Sequence, residues 1–237
     1  MKKISTILLR LVFTVLICLS GYLLLTSPLQ LNVANTRDMA KEVLHKSVDA
    51  ENDPKLKASL ELAQKFGLED KVLEALPKKY QRDFSYNSLY DLGVTYKQNG
   101  ELTAHDLALP ENNQVQEAVS EVILHKLNHE LKENAEQVDQ VISVFQYFAF
   151  AMVLVFTLAA LLAVFGRYFA SIVTLLAAIG SFGFLQFYAN QLVTVLQKQL
   201  YHGINFVNSQ QLWWGLLIGI VAGLIWPICL KLTKKRA

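Results

Sequence analysis

Four stretches of this chain, residues 7–26, 143–166, 168–190 and 212–230, are apolar, and each is long enough to cross a bilayer, which takes about 20 residues of helix. No other feature limits the fold as strongly. A backbone in hydrocarbon must satisfy its own N–H and C=O groups, so runs of this kind fold as helices. With 53% hydrophobic residues and a mean hydropathy of +0.30, the 237-residue chain is too apolar for an ordinary soluble domain. The expected fold class is an all-α membrane protein of four transmembrane helices, with a helical extracytoplasmic domain inserted between the first and second.

Charge is sorted along the chain. Residues 37–139 hold all twenty acidic residues and thirteen of the 22 basic ones, a net of −7. The other nine basic residues, Lys2, Lys3, Arg10, Arg167, Lys198, Lys231, Lys234, Lys235 and Arg236, have no acidic neighbours in the sequence. Lys and Arg near short spans are retained in the cytoplasm. The expected topology follows. Residues 1–6 are cytoplasmic, 27–142 form the extracytoplasmic domain, 191–211 an extracytoplasmic amphipathic loop, and 231–237 a basic cytoplasmic tail. Arg167 alone marks the tight turn between spans two and three, which makes them an antiparallel hairpin with a cytoplasmic link. Trp213, Trp214 and Trp226 stand near opposite ends of the last span, as interfacial aromatics do.

The first span follows Met1-Lys2-Lys3 and invites comparison with a signal peptide. Leu23, Leu24 and Leu25 continue the apolar run to Pro28 without a small-x-small cleavage site, so it reads as an uncleaved anchor. Arg10 lies close enough to the cytoplasmic edge to snorkel back to it. Both cysteines, Cys18 and Cys229, fall inside spans, which leaves the exported domain without a disulfide framework. That usage is common in Gram-positive surface proteins and points to a cell-membrane protein of that source.

No charged residue lies in the middle of spans two to four. Ion pathways, proton relays and intramembrane catalysis normally need one, so a pump, an ion-coupled transporter and an intramembrane protease are disfavoured. Gly215, Gly219 and Gly223 recur every four residues and line one helix face for close backbone approach. Packing within the four-helix bundle is the plain reading of that stripe. A dimer face, or a dock for another membrane protein, is the sharper one. Ala177, Gly180, Ser181 and Gly183 offer a second small stripe in span three.

Between the first two spans the apolar periodicity is helical, with no convincing strand. Asp53-Pro54 opens one predicted helix carrying Leu56, Leu60, Ala63 and Phe66, and a short segment, 68–76, follows. Ser85 caps another helix that closes at Asn99-Gly100, and Thr103 caps a further turn. From Glu111 the spacing of Val119, Ile123, Leu127, Leu131, Ala135, Val138 and Ile142 predicts one unbroken helix running into span two. In 191–211 the stripe of Leu192, Val195, Leu196 and Leu200 extends span three outward or lies in the interface, and the first reading is preferred.

The chemistry on offer is thin. His125 and His129 stand one helical turn apart, with Glu121 and Glu133 a turn beyond, and so are weak metal candidates. They lie opposite Leu127, Leu131 and Val138, where a polar stripe is ordinarily the solvated face. Tyr80, Phe84, Tyr86, Tyr90 and Tyr96 form an aromatic-rich set that lines a peptide or glycan groove or fills the core of a small helical domain. No cofactor motif and no basic nucleic-acid patch occurs. The expected partners are membrane lipids and an envelope protein or a second copy of the chain. The function expected is a non-enzymatic interaction, sensing or assembly module. The alternatives are a membrane-surface enzyme acting on a lipid or lipoprotein through histidines such as His105 or His125, and, more weakly, an immunity-type or transport-accessory protein.

Overall fold

The computed structural model describes residues 2–51, 74, 76–109, 111–199 and 201–235. In chain order the elements are α1 (Lys2–Thr26), β1 (Leu29–Val33), α2 (Thr36–Glu51), β2 (Tyr80–Phe84), α3 (Tyr86–Asn99), α4 (Ala104–Leu107), α5 (Gln114–Glu133), α6 (Ala135–Val164), α7 (Phe169–Gln199), β3 (Ile204–Asn208) and α8 (Gln210–Lys235). Four of these, α1, α6, α7 and α8, are long and apolar enough to cross a membrane. They form a bundle in which neighbours run in the order α1, α6, α7, α8, and α1 also touches α7 across the middle.

Small residues set how closely these helices approach. A Cβ added at Gly219 would stand 2.6 Å from both Ala178 Cβ and Ser20 Oγ, and one at Gly223 would stand 2.6 Å from Leu175 Cγ. Gly215 meets Leu23 and Leu24 of α1 in the same way. The glycine stripe of α8 therefore points into the bundle, against α1 and α7. Hydroxyls reinforce the seams: Ser20 Oγ donates to Gly215 O at 2.7 Å, and Ser171 Oγ donates to Gly223 O. Inside a bundle, where water does not compete, each such bond contributes about 1 kcal/mol.

The hairpin between α6 and α7 turns on Gly166 (φ +66°), a conformation in which a side chain would be strained. Gly166 N–H donates to Ala163 O and Arg167 N–H to Leu162 O, which closes the helix with a Schellman pair. The same end is sealed by Trp226, whose Nε1–H donates to Arg167 O at 2.8 Å while its ring packs on Phe13 with centroids 5.1 Å apart.

At the opposite end stands a three-stranded antiparallel sheet of order β2-β1-β3, contrary to the strand-free expectation. Leu29 pairs with Phe84 and Asn208, and Val33 pairs with Tyr80 and Ile204. The sequence Leu29-Gln30-Leu31-Asn32-Val33 does alternate, but five residues are too few to override a helical surrounding. Its two partner strands lie far along the chain, where local periodicity cannot see them. Each strand abuts a helix: Ser27-Pro28 joins α1 to β1, Ser85 joins β2 to α3, and Ser209 joins β3 to α8.

Two cores meet on this sheet. The bundle core includes Leu29, with Phe206 packed against it. A second core, in the head, gathers Val33, Met39, Ala40, Val43, Leu76, Ile123 and Ile204. Both Leu29 and Val33 are on the same strand face, four residues apart.

The unbroken helix expected from Glu111 into the membrane is instead two, α5 and α6, divided at Asn134 (φ −108°, ψ 26°). Asn134 Nδ2 donates to Glu130 O at 2.9 Å, so the side chain competes for the carbonyl that its own backbone N–H also reaches at 3.2 Å. Val138 N–H returns to Asn134 O at 2.9 Å, which makes this a joint rather than a gap. The segment after span three does extend α7, to Gln199, and Leu196 packs against the head core. Leu200 lies outside the described residues, and Ile204–Asn208 of that segment forms β3. Ser85 and Thr103 both stand in capping boxes, and Gly100 (φ +75°) ends α3. The predicted helix after Asp53-Pro54 and nearly all of 68–76 lie outside the described residues.

Candidate functional site

The five aromatics do not share one groove. Tyr80 and Phe84 sit on β2, and the other three sit on α3. Tyr86 is 1% exposed and enters the bundle, where its ring stacks on Phe145 (centroids 5.3 Å) and its hydroxyl donates to Ser181 O at 2.6 Å. Burial pushes that hydroxyl far above the ordinary tyrosine value, against a smaller opposing effect from the Leu185 backbone, so it remains a neutral donor. Phe84 meets Phe206 edge-on at 6.1 Å across the sheet. Tyr96 Oη donates to Leu131 O at 3.2 Å and ties α3 to α5, while Tyr90 is 40% exposed. These side chains fasten the head to the bundle and to itself.

A cleft of about 610 Å³, open to solvent, lies beside β2 and is lined by Arg82, His105, Ala108, Leu109, Glu111 and Asn112. Arg82 projects from the same face of β2 as Tyr80 and Phe84. Its Nη2 donates to Asp106 O at 2.8 Å, and its guanidinium carbon stands 5.9 Å from the Phe84 ring centroid. Tyr80 Oη donates to Leu107 O at 2.5 Å, and burial raises that hydroxyl's pKa against the lowering effect of Arg82. Two strand side chains thus grip the short α4 through its backbone carbonyls. On its other side, Asn128 of α5 makes a double bond-pair with Leu102, Oδ1 accepting and Nδ2 donating at 2.9 Å each.

Asp106 completes the Thr103 capping box. Hydrogen bonds from the Thr103 hydroxyl (2.7 Å) and backbone N–H (2.8 Å) hold its carboxyl below the ordinary aspartate value, with His105 and Arg82 adding smaller lowering effects. The cleft carries mixed charge, with Arg82, His105 and Glu111 on its wall. That chemistry suits a polar chain with both donors and acceptors. Arg82 and Asn128 escaped the sequence reading. Both serve nonlocal contacts, and only recognition of the β2 alternation would have placed Arg82 beside the aromatics.

His125 and His129 lie exposed on α5, and His129 Nε2 is 3.2 Å from Glu133 Oε1. Among the described residues, no group of three or more His, Cys, Asp or Glu side chains is positioned to hold a metal ion. Gly215, Gly219 and Gly223 are taken up by contacts within the chain, which leaves the dimer-face reading without that stripe. Compared with known protein families, curated proteins and solved structures, the chain matches none.

Proposed function

We propose that this chain is a non-enzymatic cell-membrane protein of a Gram-positive envelope, with both termini cytoplasmic and its head outside, acting as an interaction, sensing or assembly module. One observation carries the reading. The sheet shares its inner face between the bundle core at Leu29 and the head core at Val33, and links of one or two residues join the strands to α1, α3 and α8. A head built in this way moves with its spans, so a partner bound to it acts on the membrane helices directly.

The orientation is supported by charge. Arg10, Arg167 and Lys231 gather at the hairpin-turn end, whereas the acidic interval 37–139 belongs to the sheet end. The partner is an envelope protein or a second copy, met at the polar cleft beside β2. To test this, the intact protein is purified in mild detergent and co-purifying material is identified by mass spectrometry. A stoichiometric protein that is lost on Arg82→Ala supports the reading. A lipid or lipopeptide bound at the head with no protein partner sinks it.

The enzyme alternative draws on the place of His105 in the cleft beside Arg82 and Glu111. Alanine at each of His45, His105, His125, His129 and His202 separates the two readings. Full activity of all five variants in the cell removes the histidine enzyme.

A further inference from the structure

The hairpin-turn end of the bundle brings two arginines together, and among the described residues neither has an acid paired with it. The guanidinium of Arg10 lies flat on Gly166: its Cζ, Nη2 and Nε would be 2.7, 2.7 and 2.8 Å from a Cβ built there. Gly166 directly precedes Arg167, so both cations sit on one turn. Among the described residues Arg10 is poorly satisfied. Its Nη1 reaches Val164 O only at 3.5 Å, and its Nε is buried without a partner. The Arg167 side chain is exposed and makes no hydrogen bond or ion pair among the described residues. The nearest acid along α6 is Asp139, 25 residues from Val164, which at 1.5 Å per residue is ~37 Å away. That exceeds the screening length of about 8–10 Å several times over, so no carboxylate of α6 neutralises the pair, and among the described residues neither arginine has an ion pair.

The surroundings identify what does. Ile7 and Leu11 on α1, and Leu161 and Phe165 on α6, are all more than half exposed around the two cations. Guanidinium groups at an apolar rim fit a ligand with a phosphate at one end and hydrocarbon at the other. We propose that Arg10 and Arg167 together hold the phosphate of an anionic phospholipid, its acyl chains lying along the seam of α1 and α6. Arg10 then has two tasks, covering the C-terminal carbonyls of α6 with one edge and meeting the lipid phosphate with the other. The site is independent of the partner proposed for the head, since it lies at the opposite end of the bundle.

The test uses the full-length protein in neutral detergent, with phosphatidylglycerol, phosphatidylcholine of the same chains, or inorganic phosphate added. Native mass spectrometry reads the lipid retained, and the thermal midpoint reads its effect. Phosphatidylglycerol is expected to be retained and to raise the midpoint, while phosphatidylcholine and phosphate do neither. Arg167→Gln removes no side-chain bond among the described residues and should fold as the parent does; it should weaken phosphatidylglycerol binding about fivefold, the usual contribution of one cation at a lipid surface. Arg10→Gln should weaken it at least as much, and Arg10→Lys should restore part of it. Undiminished binding in Arg167→Gln overturns the proposal. So does equal retention of phosphatidylcholine, which would make the contact purely apolar, or equal stabilisation by inorganic phosphate, which would remove the lipid.

Discussion

The bundle and the head are held together by different means. In the bundle, α6, α7 and α8 lie side by side in chain order, α1 closes the ring against α8 and α6, and glycine, alanine and serine at the crossings allow close backbone approach. In the head, the contacts that matter join residues far apart: β1 to β3, Arg82 to Asp106, and Asn128 to Leu102. The bundle is stabilised by tight fit of small residues between apolar helices. The head is stabilised by polar pairings and a small core that close only when distant segments have arrived. That difference makes the head the dependent partner, because β1 and β3 are positioned by α1 and α8.

The dependence can be broken at Leu29, which is 1% exposed in the rung nearest the membrane. Leu29→Ala should cost about 2–5 kcal/mol, as buried leucine truncations do. Its effect should also spread, lowering hydrogen-exchange protection in β2 and α2 as well as at the outer end of α1. Val43→Ala, inside the head core, should lower protection in the head while leaving the spans unchanged. If Leu29→Ala leaves exchange in α2 and β2 unaltered, the sheet does not couple the two cores.

A smaller effect separates the glycines. Gly219→Ala drives a methyl into Ala178 and Ser20 and should destabilise the bundle by about 1–3 kcal/mol. Gly180→Ala on α7 meets nothing within 4 Å, so it should be neutral or gain up to ~1 kcal/mol from helix propensity. Denaturation of both variants in mixed detergent micelles reads the difference. Equal midpoints would mean that close approach at Gly219 is not what sets the α8 crossing.

This contrast also explains what the sequence made legible. The four spans, the turn at Arg167, the caps at Ser85 and Thr103 and the αL glycine at position 100 all follow from residues within one or two helical turns of each other. The sheet does not. Leu29-Gln30-Leu31-Asn32-Val33 alternates, yet its strand character is realised only through Phe84 and Asn208, and no local pattern announces those pairings. The division at Asn134 was missed because apolar spacing carries on across it. The clue was the residue itself, since asparagine bonds to nearby backbone in place of a helical partner. The cleft was missed for the same reason as the sheet: Arg82, His105 and Glu111 become neighbours only after β2 and α4 pack.

The finest separation of the two regions is by acid. Asp106 carries a carboxyl whose pKa is lowered by its bonds to Thr103, and the spans hold no acid in their interiors. A group with a depressed folded pKa contributes stability above its unfolded pKa and loses it as pH falls through the folded one. The Thr103–Asp106 box is therefore intact at neutral pH and should open below the ordinary aspartate range. The short α4 would loosen with it, and so would the carbonyl that accepts from Arg82 at the cleft wall. The group is largely solvated, so this should be the smallest of the effects, visible locally rather than in global unfolding. Carboxyl NMR should place the Asp106 midpoint below that of a free aspartate, with amide protection in residues 104–108 falling over the same pH range. Asp106→Asn should abolish that pH dependence and leave the bundle unchanged. A midpoint at or above the free-aspartate value would show that the Thr103 bonds are too weak to hold α4 against the cleft.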